Sequence, residues 1–400
     1  MLKLNDYRAV VGDKIIDDLL TEAKPLLGKD IVHVNSTFYG GGVAEILDSL
    51  VCLMNDLGIK AGWRMIKGSD DFFKITKLFH NSCQGAEYEL SPEVKKTYEE
   101  VNEKNSNFMH LEKADAIIMH DPQVLPLINY YQKNQPWIWR CHIDITSPNP
   151  QVWNYLLDFI NKYDEVIISD EKFRKKEIVP PQTIIMPSIN PLNQKNRPMN
   201  DEEIRQVLEP LRINLNKPIV SQISRFDYWK DPLGVIEAFE KARKKVDCQL
   251  VLLGNFADDD PEGTEIYQKT LARANNNPDI KVLVNVDNND LVVNALQRIS
   301  RAVIQKSLRE GFALTVSEAL WKETPVIGTR AGGIPNQIID GKNGYLVDGI
   351  EECAQRIITL VEDEKLAKEM GKFGKEFVKN NFLITRHLSD YLKILKRVIK

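Results

Sequence analysis

Cysteine is scarce in this chain: five residues in 400, at positions 52, 83, 141, 248 and 353, with no CxxC spacing. An odd count without paired spacing argues against a disulfide framework and against a cysteine-based zinc site. Cys52 and Cys248 sit in apolar periodic segments, where a free thiol behaves as a small hydrophobe. No apolar run approaches the roughly 18–20 residues that a membrane span needs. A large excess of charge is missing too. Lys plus Arg number 53 and Asp plus Glu 57, a net −4, which disfavours a broadly basic nucleic-acid surface. The opening MLKLNDYRAVVGDKIIDD lacks the basic-then-apolar layout of an export signal, so the expected location is cytoplasmic. Neither a G-x-S-x-G elbow nor a P-loop GxxxxGK motif occurs, which weakens serine hydrolase and P-loop NTPase chemistry. There is no short internal repeat and no low-complexity tract.

What is present is a globular composition, 43% hydrophobic and 28% charged. Four hundred residues suit two domains of about 150–200 each. In the first half, strand patterns at Ile31–Asn35, Ala61–Ile66, Ala114–Met119, Trp137–Ile143 and Glu165–Ser169 alternate with helical ones. Val43, Ile46, Leu47, Leu50, Val51, Met54 and Leu57 fall on one helix face, and Gly58 stops that helix. Pro122–Gln132 and Val152–Lys162 read as further helical stretches. Residues 186–201, rich in Pro and Asn, read as a linker or hinge. The second half repeats the theme, with strands at Pro218–Ser224, Gln249–Leu253, Ile280–Val286, Ala302–Gln305 and Pro325–Gly328. Pro232 stands at a first helical position. The last 35 or so residues are helical, with Leu388, Leu392, Leu395 and Val398 on one stripe. Alternating strands and helices predict an α/β protein of two doubly wound, Rossmann-like domains facing across a cleft. The expected boundaries are 1–190, 200–380, and a C-terminal helix over 381–400. In such sheets ligands bind beyond the carboxyl ends of strands, at a switch point.

Chemistry is therefore sought just after strands. Gly40, Gly41 and Gly42 precede a helix start, where bare backbone approaches a ligand closely; a sharp turn without ligand is the plain alternative. The triplet is not GxGxxG. Arg225 and Lys230 follow a strand and suit a diphosphate, Arg as a planar fork and Lys as a point charge, against the alternative of a solvated basic pair. Glu310 lies in a loop and Glu318 in the following helix. Such carboxylates can hold sugar hydroxyls while the amides of Leu314 and Thr315 hold a phosphate. Thr315-x-x-Glu318 is equally a capping box. Gly332-Gly333 reads as a flexible loop at the rim, or a plain connection. In the first half His120-Asp121 and His142-Ile143-Asp144 follow strands. Asp121 before Pro122 also fits an N-cap. Asp258-Asp259-Asp260 has D-x-D spacing, but acidic residues ahead of a helix are comfortable without a metal. No other His, Asp or Glu pattern has metal-ligand spacing.

Together these residues resemble the retaining GT-B glycosyltransferases: the Glu310-x7-Glu318 pair, Arg225, Lys230, the glycine turn and Gly332-Gly333 occur in that family's order. The segments HVNSTFYGGGVAEIL (33–47), HDPQ (120–123), PWIWRCHIDITSPN (136–149), ISRFDYWKD (223–231) and REGFALTVSEALWK (309–322) look like the trehalose glycosyltransferring synthases. The similarity runs from about residue 30 to the C-terminus. It implies transfer of glucose from a nucleoside diphosphate glucose to glucose, giving α,α-trehalose and a nucleoside diphosphate, reversibly and with retention. It implies that Arg225 and Lys230 hold the diphosphate, that Gly41 and Gly42 approach it, and that Glu318 binds ribose. Glu310 would contact the donor glucose, and Gly311, Phe312, Ala313, Leu314 and Thr315 would line the donor loop. His142 and Asp144, with Asp121, would border the reacting carbon and acceptor, and the last helix would return to the N-terminal domain. Arg225, Lys230, Glu310 and His142 are the implied catalytic set. No cofactor and no obligatory metal are expected. The expected partners are NDP-glucose, glucose and trehalose, with no nucleic acid and no membrane; a homodimer stays open. A trehalose phosphorylase, or a retaining transferase with another acceptor, is the nearest alternative, and a non-catalytic sugar or nucleotide binder the most distant. One residue departs from the family pattern E-G-F-G: this chain has Ala313, which would be strained if φ there is positive.

Overall fold

The apolar runs become two six-stranded parallel sheets. The computed structural model describes residues 3–38, 41–255 and 262–399. The chain divides into two compact units, the first made of 1–188 and 384–400, the second of 189–383.

The first unit contains β1 (Asp30–Asn35), β2 (Lys60–Met65), β3 (Ala116–His120), β4 (Trp137–Arg140), β5 (Glu165–Ile168) and β6 (Gln182–Ile184), in the order β2-β1-β3-β4-β5-β6. The strand order reverses between β1 and β3, so the switch point lies there. β3, β4 and β5 are buried at every residue, as strands covered on both faces by helices must be. The helices start on readable caps. Ser69 accepts from Phe72 N–H, Ser91 from Val94 N–H, and Asn149 from Gln151 and Val152 N–H, with Pro92 and Pro150 at first helical positions. Trp137, Trp139, Phe72, Phe79 and Tyr98 centre the core. β4 is shorter than the predicted Trp137–Ile143. The His142 N–H leaves the ladder and donates to Asp121 Oδ1 at 2.7 Å. The C-terminal helix Ile384–Val398 belongs to this unit, where Arg386 donates to the Met186 and Pro187 carbonyls at 2.7 and 3.0 Å.

The second unit contains β7 (Ile219–Ile223), β8 (Gln249–Gly254), β9 (Ile280–Val284), β10 (Ser300–Gln305), β11 (Val326–Thr329) and β12 (Gly344–Val347), in the order β12-β11-β10-β7-β8-β9. Its reversal falls between β7 and β10. The helix Pro232–Arg243 follows β7 and packs Val235, Ile236, Phe239 and Ala242 into the core. Burying a side chain such as Phe239 contributes about 2–3 kcal/mol. Asp231, held at φ 47°, caps this helix by accepting from Gly234 N–H at 3.0 Å.

Candidate active site

Both switch points carry polar clusters. In the second unit the loops after β7 and β10 converge. Leu308 N–H donates to the Trp229 carbonyl at 2.7 Å, tying one loop to the other. Gln222, inside β7, donates from Nε2 to the Lys230 carbonyl at 2.7 Å. Lys230 Nζ then reaches Glu310 Oε2 at 2.5 Å. The same oxygen accepts from Ser307 Oγ at 3.2 Å and from Gln305 Nε2 at 3.3 Å, so three donors converge on it. Glu310 Oε1 has no partner among the described residues. That oxygen is available to a ligand hydroxyl, because an ionised carboxylate is purely an acceptor. Arg225 is about one-third exposed and lies 3.8 Å from Asp227. The Lys306–Asp231 pair stands behind this cluster, in the partly buried interior.

The helix Leu314–Trp321 begins next to Glu310. Its N-cap is Ala313, at φ 68° and ψ 80°, with no side-chain cap. The departure noted in the sequence thus falls on a left-handed residue, where alanine costs roughly 1 kcal/mol relative to an unstrained backbone. The capping-box alternative does not hold. The Thr315 hydroxyl donates to the Ile223 carbonyl at 3.2 Å, and the Glu318 carboxylate faces Gln297 Nε2 at 3.5 Å and Lys195 Nζ at 4.0 Å. The first amides of this helix therefore have no capping side chain, an arrangement that favours anions. The loop Gly332–Gly333 is buried rather than a loose rim. A Cβ at Gly332 would stand 1.3 Å from the Glu310 carbonyl, and Gly333 N–H donates to the Gly311 carbonyl at 3.2 Å. Gln337 completes the clamp, donating to the Phe312, Ala313 and Gly333 carbonyls while accepting from Ser317 Oγ.

In the first unit the cluster is made of imidazoles. Parallel register pairs His33 with Ile118 and His120 with Arg140. Each histidine thus lies two residues beyond the partner of the previous one, and a period of two keeps all three on one sheet face. His33 Nδ1 meets His120 Nε2 at 3.0 Å, and His120 Nδ1 meets His142 Nε2 at 3.0 Å. The rings stack with centroids 5.3 Å apart at each step. Burial pushes His33 down to about 3 and His120, His142 and His387 well below the usual imidazole range. Arg140 is fully buried and donates from Nη2 to the Ile185 carbonyl at 2.7 Å and Ser169 Oγ at 3.2 Å.

Asp121 adopts φ 60° and ψ −177°, an uncommon conformation for a residue other than glycine. It is not a side-chain N-cap of the turn that follows. Its carboxylate holds the His142 amide, and its carbonyl accepts from Trp139 Nε1 at 3.1 Å. Burial pushes its carboxyl up to about 7, opposed by the His142 amide and by Arg140. Asp144 is buried and accepts from its own turn, Thr146 N–H at 2.9 Å and Thr146 Oγ1 at 2.5 Å. Gly41 is exposed, at φ 93°, one residue before the helix Gly42–Asp56; Gly40 and Asp258–Asp260 lie outside the described residues.

Several polar neighbours escape sequence reasoning: Arg140, His33, His387, Gln297, Gln305 and Gln337. Only His33 and Arg140, each inside a strand and a quoted motif, carried a signal. Among the described residues no group of His, Cys, Asp and Glu could hold a metal ion, and no helix is long and apolar enough to cross a membrane.

Residues 33–175 match the family described as trehalose synthase, N-terminal domain, and residues 203–377 match glycosyl transferases group 1. The chain is 46% identical over 397 residues to a trehalose synthase of Thermococcus litoralis, covering 98% of this chain and 96% of that one. It is 28% identical to a trehalose phosphorylase of Pleurotus pulmonarius, covering 94% of this chain and 58% of that protein. In fold it is similar to an alpha,alpha-trehalose-phosphate synthase (UDP-forming) from Burkholderia xenovorans, with TM-score 0.75 at 12% identity, covering 92% of this chain and all of the other.

Proposed function

The chain belongs to the trehalose synthase family of glycosyltransferases, and we propose that it moves glucose from a nucleoside diphosphate glucose to free glucose. The products are α,α-trehalose and a nucleoside diphosphate, formed reversibly and with retention at the transferred carbon. The observation that carries this reading is the Lys230–Glu310 pair at the second unit's switch point, beside Arg225 and the uncapped start of the helix Leu314–Trp321.

Breaking the bond between glucose C1 and the phosphate oxygen leaves positive charge on the sugar and negative charge on the diphosphate. Lys230, Arg225 and the first amides of the helix supply compensation where that negative charge grows. Groups placed this way are typically worth about 3–4 kcal/mol each. A metal on the leaving group is then unnecessary, and turnover should survive a chelator. Glu310 offers Oε1 to the hydroxyls of the donor glucose, and Glu318 binds the ribose hydroxyls. Retaining glycosidases use one carboxylate of a pair roughly 5 Å apart as nucleophile. Glu310 is poorly suited to that work, because three donors already hold its other oxygen. In the proposed course the acceptor hydroxyl attacks from the leaving-group side, and the departing phosphate oxygen takes its proton. His142 and Asp144, with Asp121 behind them, serve the acceptor.

The test is incubation with ADP-, UDP- or GDP-glucose plus glucose, with trehalose as the expected product. The likeness to a trehalose phosphorylase supports a second reading, in which inorganic phosphate replaces the nucleotide. Turnover of trehalose with phosphate, and none with any nucleotide sugar, would select it. Tight ligand binding without turnover would instead select a non-catalytic binder.

A further inference from the structure

The three-histidine chain of the first unit has a property that follows from counting protons. Burial pushes all three rings below the usual imidazole range, which favours the neutral form of each at pH 7. A neutral imidazole carries one N–H, and each N···N contact needs one donor and one acceptor. Two arrangements satisfy both contacts. In one, every ring is protonated at Nδ1: His33 donates to His120, His120 donates to His142 Nε2, and His142 presents an Nδ1–H at its outer end. In the other, every ring is protonated at Nε2, and His142 presents a bare Nδ1 lone pair.

The inner end decides between them. His33 Nε2 is buried without a partner. The first arrangement leaves a lone pair there, the second an N–H. Orphaned buried N–H groups are the rarer of the two in folded proteins. Nearby Arg140 adds two more unpartnered buried donors, Nε and Nη1, against one unpartnered acceptor, Nε2 of His387, whose Nδ1–H faces the Met186 carbonyl, so donors outnumber acceptors in this interior. At the outer end His142 is half-buried, and its Nδ1 has no partner among the described residues.

We propose that His33 and His120 are positioning residues that fix His142 as an Nδ1–H donor toward a sugar oxygen, so that His142 cannot accept a proton there. The role as a sugar contact rests on the glycosyl-transfer reading; the proton arrangement does not. No proton is transferred in this scheme. The histidine orients and stabilises an oxygen, and the base remains the leaving phosphate.

The test is nitrogen NMR of the full chain labelled with 15N-histidine, assigned through single His→Gln variants. Its long-range couplings distinguish the two tautomers without reference to activity. Protons on Nδ1 of His33, His120 and His142 support the proposal; a proton on Nε2 of His142, or an imidazolium there at pH 7, overturns it whatever the enzyme makes. Function is read from a matched pair of variants. His33→Asn keeps a donor near the Nδ1 position, whereas His33→Asp offers His120 only acceptors and forces the opposite arrangement. The expected kcat is near wild type for H33N and lower by about tenfold in H33D, with donor KM unchanged, the scale of one lost hydrogen bond. Equal rates in two folded variants whose His142 tautomers differ would overturn the positioning role. Correct tautomers in a protein that makes no trehalose from any donor would instead defeat the functional reading.

Discussion

All six histidines of the chain, at 33, 80, 110, 120, 142 and 387, fall in the first unit, and the second has none. The two units solve the same problem, polar groups at a sheet switch point, with different materials. The first stacks neutral imidazoles between strands. The second pairs fixed charges: Lys230 with Glu310 and Lys306 with Asp231. A neutral imidazole can donate or accept without bringing charge, which suits hydroxyl groups. Fixed cations suit a leaving group that gains negative charge. The division of labour proposed above therefore follows the chemistry of each cluster.

The sharpest way to break this contrast is to remove a cation. Lys230→Ala should lower kcat by about 10²–10³-fold, the scale of one lost transition-state contact, while the far-UV spectrum and melting temperature stay near wild type. Near-normal turnover would remove Lys230 from the leaving-group role.

Acid should separate the units next. The buried histidines have folded values below the unfolded one, so the unfolded chain binds more protons as pH falls through about 6.5. Their stabilisation is complete above that pH and is lost progressively below it. Asp121, raised to about 7, works the other way and gains as pH falls, but one carboxyl faces three buried histidines and the half-buried His142. Arg140, Arg386 and Tyr391 also face them. Between pH 7 and pH 5 the first unit should lose about 2 kcal/mol or more, seen as faster amide exchange in β1, β3 and β4. Equal loss in β7 and β10 would contradict the contrast.

Smaller effects sharpen it within the second unit. Glu318→Gln should raise donor KM about tenfold with kcat little changed, the mark of uniform binding. Ala313→Gly should relieve the left-handed strain and raise stability by at most about 1 kcal/mol, since glycine also gains freedom in the unfolded chain. A loss of stability in A313G would show that the Gln337 clamp depends on the alanine methyl.

Much of this architecture is legible in the chain itself. Continuous apolar runs such as LVLLG mark buried strands, and Pro232 marks a helix start at the residue observed. The helix Pro92–Met109 is not marked, because its Glu, Lys and Asn leave only a thin apolar stripe. Strand Gly344–Val347 is four residues long and borrows its stability from β11. The over-extended reading of β4 has a local cause: Asp121, distant in sequence, captures the His142 amide. The site divides in the same manner. Arg225, Lys230, Glu310 and Glu318 announce themselves by charge after strand ends. Arg140 reaches Ile185, Gln297 reaches Glu318 and Gln337 reaches Phe312, partners 20 or more residues away that no local pattern can display.

The most direct test uses a nucleoside diphosphate glucose labelled with 13C at C1 and unlabelled glucose, followed by carbon NMR. The expected product is α,α-trehalose carrying the label at one anomeric carbon, formed in step with nucleoside diphosphate and unaffected by a metal chelator. Label that remains in the donor or appears only in free glucose, with ADP-, UDP- and GDP-glucose alike, would contradict it.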